Sequence, residues 1–69
     1  MDKDKKARFL QVYQNLPLNE RRNTIIIIED RKQKPEKKPI SWDIAYVEID
    51  QETEIGEKIL NKLIKLELI

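Results

Sequence analysis

Four consecutive isoleucines, at positions 25 to 28, constrain the fold of this 69-residue chain more than any other feature. β-Branched side chains lose rotamer freedom in a helix and pack well on a pleated surface, so the run predicts a strand over residues 24–29. A strand with one wet face alternates apolar and polar residues, whereas a continuous apolar run is typical of burial on both faces. We therefore expect both faces of this strand to be covered, by the rest of the chain or by a second copy.

The small size of the chain limits how it can be stabilised. A chain of this length buries only about 60% of its unfolded surface, so small domains commonly rely on disulfides, a structural metal or oligomerisation. The sequence has neither Cys nor His, which excludes disulfides and thiolate metal sites and removes the commonest general acid–base residue. Self-association remains, and we expect a homo-oligomer, most simply a dimer.

The charges are numerous and balanced. Fourteen Lys and Arg residues face thirteen Asp and Glu residues, a formal net charge of +1, which predicts an ion-paired surface without a general attraction to nucleic acid or membrane. No apolar stretch approaches the ~20 residues that span a bilayer, and the charged N-terminus lacks a secretory signal, so a cytoplasmic location is expected. The Lys-, Glu- and Ile-rich composition also favours a thermophilic source, although AT-rich coding gives the same bias.

Residues 2–16 predict an amphipathic helix, since Phe9, Val12, Tyr13 and Leu16 recur at helical spacing and Pro17 follows. Residues 40–49 fit both a strand and a helix by periodicity alone. Ser41 is a good N-cap, which favours a helix over residues 41–50. In that helix, Trp42 and Tyr46 lie one turn apart, and such a pair more often belongs to a core than to a ligand site.

The last predicted helix covers residues 53–67, with Thr53 as its N-cap. Gly56 in its first turn would allow a close backbone contact. The apolar face of this helix is too wide for one small partner helix, and we expect the excess to form the self-association surface. That face consists of Ile55, Ile59, Leu60, Leu63, Ile64 and Leu66.

These elements predict a small α+β fold, a single domain over residues 1–69 in the order α-β-(β)-α-α. A minimal two-stranded β element is covered by three helices. The second strand would return over residues 37–40, and Pro39 would confine it to an edge because proline cannot donate to a sheet ladder.

The sequence offers little for catalysis or cofactor binding. A single glycine excludes phosphate-binding fingerprints, which need several. The run from Asp50 to Gly56 resembles the start of a calcium-binding loop, but the twelfth position is Asn61 and lacks the required carboxylate. We expect no catalytic residue, metal or cofactor, and interpret the chain as a non-catalytic interaction module with itself, or another protein, as its partner.

The alternative is a small nucleic-acid-binding regulator that uses a basic loop over residues 30–39. Clustered cations could neutralise phosphates and give salt-sensitive binding. Neighbouring acids dilute the cluster, and no aromatic residue interleaves to stack on bases. The candidate contacts are Arg31, Lys32, Lys34, Lys37 and Lys38.

Overall fold

The structure, a computed structural model, describes residues 1–30 and 36–69. Helix α1 (Lys3–Gln14) and a short 3₁₀ helix (Glu20–Arg22) precede strands β1 (Thr24–Asp30) and β2 (Glu36–Ser41). Helices α2 (Trp42–Asp50) and α3 (Glu54–Lys65) complete the chain, and the two strands pair in an antiparallel sheet. The predicted fold class, a small α+β domain with a two-stranded sheet and three helices, is confirmed.

Each of the three helices begins at a capping side chain. The Asp2 carboxylate accepts two main-chain N–H groups of the first turn of α1. The Ser41 hydroxyl accepts the N–H of Ile44, and the Thr53 hydroxyl accepts the N–H of Gly56. Such caps are each worth about 0.5–2 kcal/mol. Ser41 thus decides between the two possible structures of the ambiguous segment, which is strand up to Ser41 and helix from Trp42.

Helices α2 and α3 end in the same backbone motif. The residue after each C-cap, Glu52 or Glu67, adopts left-handed φ angles of 53° and 59°. Both ends have the two main-chain hydrogen bonds of a Schellman motif, in which glycine is the usual left-handed residue. The donors and acceptors are Glu52 to Ile49 and Thr53 to Glu48 after α2, and Glu67 to Ile64 and Leu68 to Leu63 after α3.

A single hydrophobic core lies between the sheet and the helices, with α2 in contact with α1, α3, β2 and the 3₁₀ helix. Trp42 is buried and Tyr46 packs against the core, which agrees with the predicted structural role of this pair. No polar or charged side chain is buried among the described residues. The core residues are Phe9, Ile26, Ile28, Ile40, Trp42, Ala45, Ile49, Ile59, Leu60 and Leu63.

The described chain covers strand β1 on one face only, so the expected coverage of its second face stays a prediction. Ile26 and Ile28 point into the core with Ile40, the register partner of Ile26. Ile27 points the other way and is 50% exposed, opposite the exposed Pro39. In the described part of the chain the helices bury one face of the hairpin and leave the other to solvent.

The predicted basic loop over residues 30–39 is shorter in the structure because both strands extend into it. Asp30 ends β1, and β2 starts at Glu36, which includes the predicted return over residues 37–40. Residues 31–35 lie outside the described part of the chain.

Gly56 lies where α3 crosses the end of α2. It is buried, and a Cβ atom built at this position would overlap the main-chain carbonyl of Glu48. Because the overlap is with backbone, no side-chain rotation could relieve it. The close contact expected at this glycine is present, and it sets the distance between the two helices.

Candidate interaction surfaces

The exposed apolar side chains of the described residues fall on four parts of the molecule. One is the outer face of the hairpin, one is the outer face of α2, one is the end of α3, and one is the connector after α1. Small monomers expose scattered apolar residues routinely, so only neighbouring ones indicate a surface. The large exposed side chains are Leu18, Ile27, Ile44, Val47, Leu66 and Leu68.

The outer face of the hairpin carries Ile27 and Pro39 at one register position, with Lys37 one pleat further along β2. Proline has no N–H to exchange, so this pair must be a non-hydrogen-bonded one, in which main-chain groups point away from the partner strand. The Ile27 carbonyl accepts instead from the Lys62 ammonium group of α3, at 2.8 Å. At this register position both edges are therefore poor partners for a further strand, because Lys62 occupies the Ile27 carbonyl of β1 and Pro39 gives β2 no N–H.

The surface predicted on the last helix is mostly inside the molecule. Ile59, Leu60 and Leu63 are fully or almost fully buried by the chain's own core. Ile55 and Ile64 are half-buried against it. Leu66, at 52%, is the most exposed member of the predicted set. The width of the apolar face is thus used within the chain, and the predicted location of the self-association surface is corrected.

Helix α2 exposes two neighbouring apolar side chains that the sequence analysis did not single out. Ile44 and Val47 are 46% and 48% exposed and lie one turn apart. The signal was present in the sequence, because both residues fall outside the Trp42–Ala45–Ile49 face.

The predicted nucleic-acid contacts are only partly within the described structure. Arg31, Lys32 and Lys34 lie outside the described residues. Lys37 and Lys38 are both exposed, but they are adjacent in β2, so they point to opposite faces of the hairpin. These two cations do not combine into one patch, and nucleic-acid binding stays a prediction.

A polar cluster joins α1 to α2. The Tyr13 hydroxyl donates to the Asp43 carboxylate at 2.7 Å, and the rings of Tyr13 and Tyr46 stack at 4.6 Å. The Arg21 guanidinium covers the Tyr13 ring at 4.4 Å from its centre. The hydrogen bond to Asp43, followed by burial, raises the pKa of Tyr13 above its ordinary value of 10.0.

This cluster holds the helices together and offers no reactive group at neutral pH. Its tyrosine is protonated and its carboxylate is occupied, which suits a structural contact. The Arg21 Nε is buried without a hydrogen-bond partner among the described residues. Sequence reasoning placed Tyr13 and Tyr46 on inward faces, but the approach of Arg21 depends on the connector and has no signal in the sequence.

Across residues 1–30 and 36–69, no group of three or more acidic residues is arranged to hold a metal ion. None of the helices in those residues is long and apolar enough to cross a membrane. Comparison with protein-family models, with curated proteins and with solved structures found no match to this chain.

Proposed function

We propose that this chain is a non-catalytic interaction module that self-associates as a dimer through the outer face of its hairpin. The observation that carries the proposal is Ile27, half-exposed in the middle of a strand that has the continuous apolar pattern of double burial. The chain covers one face of that strand. A second copy, packed face to face, would cover the other.

The edges at the Ile27–Pro39 register position favour this arrangement over strand addition. A further strand would need free N–H and C=O groups along an edge, but Lys62 occupies the Ile27 carbonyl and Pro39 has no N–H. Stacking of two sheets, about 10 Å apart, needs only apolar faces. With a formal net charge of +1, two copies repel each other little.

The small area of the outer hairpin face limits how tightly two copies can bind. Two strands of this length present a face of roughly 10 by 20 Å. Two such faces bury less than the ~1,200 Å² of a stable specific interface, so the dimer is a weak one. We expect a dissociation constant of about 10–500 μM, within the range of transient complexes.

Sedimentation equilibrium between about 10 μM and 1 mM tests the proposal over the range in which such a dimer dissociates. The wild type should show a concentration-dependent rise from monomer to dimer, and Ile27→Lys should stay monomeric. Leu18→Lys is the matched control, because it also removes an exposed apolar side chain but lies in the connector. A wild type that is monomeric throughout, or a dimer that Ile27→Lys leaves intact, would overturn the proposal.

A further inference from the structure

The outer face of α2 is a second exposed apolar surface. Ile44 and Val47 stand half-exposed on consecutive turns, while Trp42, Ala45 and Ile49 occupy the opposite, buried side of the helix. A helix that is apolar on both sides is normally buried on both sides. The outer side of α2 is therefore unpartnered within the described chain.

All the charges of α2 are negative. The helix contains Asp43, Glu48 and Asp50 and no Lys or Arg. Asp43 already accepts from Tyr13, and Glu48 accepts from the Thr53 hydroxyl. The nearby Lys6 ammonium group donates to the Asp50 main-chain oxygen at 3.2 Å and pairs with Glu52 at 3.4 Å. The Asp50 carboxylate itself, one turn beyond Val47, makes no hydrogen bond or ion pair with any residue in the described ranges. An apolar partner that carries positive charge would complement this apolar pair and the unpaired carboxylate beside it.

A second copy does not fit this requirement. A symmetric interface puts the same patch on both sides, so it would place the acids of one α2 helix against those of the other. Like charges brought together across an interface oppose binding. The hairpin dimer proposed above uses a different face and leaves α2 open.

We propose that the outer face of α2 binds a basic amphipathic helix of another protein. Two apolar side chains one turn apart match the i, i+3 and i+4 anchors that a docked helix presents. A Lys or Arg flanking those anchors would pair with Asp50. This site gives the module a hetero-partner in addition to its own second copy.

Fluorescence anisotropy with a labelled, designed 16-residue peptide tests the site. The probe has leucines at helical spacing with lysines between them, and a second peptide has glutamate in place of every lysine. We expect the lysine peptide to bind with a dissociation constant of about 10–100 μM and the glutamate peptide to bind at least about tenfold more weakly.

Variants separate the apolar and the charged parts of the site. The double change Ile44→Ser with Val47→Ser should weaken binding of the lysine peptide about tenfold or more. Asp50→Asn should weaken it about two- to fivefold and reduce its salt dependence. Both sites are on the surface, so far-UV circular dichroism should match that of the wild type.

Ile27→Lys is the control that keeps the two proposals apart. It should abolish self-association and leave peptide binding unchanged. The double change Ile44→Ser with Val47→Ser should weaken peptide binding and leave self-association intact. Equal binding of the two peptides, full binding by the double variant, or no binding below about 500 μM would each overturn the α2 site without touching the hairpin dimer.

Discussion

Helices α2 and α3 pack against each other through the same kind of side chain, yet they use their remaining surface in opposite ways. Helix α3 turns its buried residues, Ile59, Leu60 and Leu63, inward and presents charged residues outside. Helix α2 also buries one side but leaves Ile44 and Val47 exposed on the other. The width of an apolar stripe therefore does not locate a free surface. A free apolar surface is found where the side of the helix that faces away from the core is apolar, as in α2, and is absent where that side is charged, as in α3.

The division of α3 into a buried side and an exposed side is tested most directly at Leu63. Leu63→Ala should lower the free energy of unfolding by about 2–5 kcal/mol, because it leaves a cavity in the core. The matched change Leu66→Ala, three residues on and half-exposed, should cost less than about 1 kcal/mol. Urea denaturation followed by Trp42 fluorescence measures both. Equal losses of unfolding free energy in the two variants would mean that α3 does not have one buried and one exposed side.

The contact between the two helices is tested at Gly56. Gly56→Ala should destabilise the protein by about 1–3 kcal/mol, since the added methyl group overlaps the Glu48 carbonyl. Helix propensity alone would stabilise it by about 1 kcal/mol, so the sign of the change decides between the two effects. Asn61→Ala, an exposed site in the same helix, is the control and should stabilise slightly. A more stable Gly56→Ala variant would contradict the close crossing.

Helix α2 is attached to α1 by a polar contact as well as by apolar packing. Tyr13→Phe removes the hydroxyl that donates to Asp43 and should cost about 1 kcal/mol at neutral pH. The folded-state pKa of Tyr13 is raised above the ordinary value of 10.0. The contribution of this group is therefore complete below pH 10.0 and is lost as the pH rises through the higher, folded-state value.

Urea denaturation of the wild type and Tyr13→Phe from about pH 7 to pH 11 measures this loss. The stability difference should be constant on the neutral side and shrink above the ordinary pKa of tyrosine. Tyr46→Phe is the control, because its ring stacks on Tyr13 while its hydroxyl makes no hydrogen bond with a described residue. A pH-independent difference would mean that the hydroxyl contributes through packing alone.

The smallest effects are expected where the two helices are most alike, at their C-terminal ends. Glu67→Gly should stabilise by about 0.5–1 kcal/mol, because glycine adopts the left-handed conformation without a Cβ clash. Glu52→Gly should gain less, since the Glu52 carboxylate lies 3.4 Å from the Lys6 ammonium group and an exposed pair of this kind contributes about 0–1 kcal/mol. Melting temperatures should rank Glu67→Gly above Glu52→Gly, and the reverse order would contradict the role of the ion pair.

The sequence predicted the elements well because their signals are local. The β-branched run, the cap at Ser41 and the cap at Thr53 lie next to the boundaries that they determine. It could not predict which face of β1 is dry, because that depends on where three helices pack. For the same reason the sequence could not predict that Arg21 reaches Tyr13 across a turn. Nor could it predict that the core covers Leu63, which was expected on the self-association surface.

The contact between Lys62 and the Ile27 carbonyl links the solubility of the chain to the docking of its last helix. A segment of consecutive isoleucines has the composition that forms cross-β fibrils when its main chain is unpaired. In the folded molecule Lys62 covers one such main-chain group. Local opening of α3 would uncover it while the strand stays formed. We expect fibril growth, where it occurs, to begin from this partly open state before global unfolding.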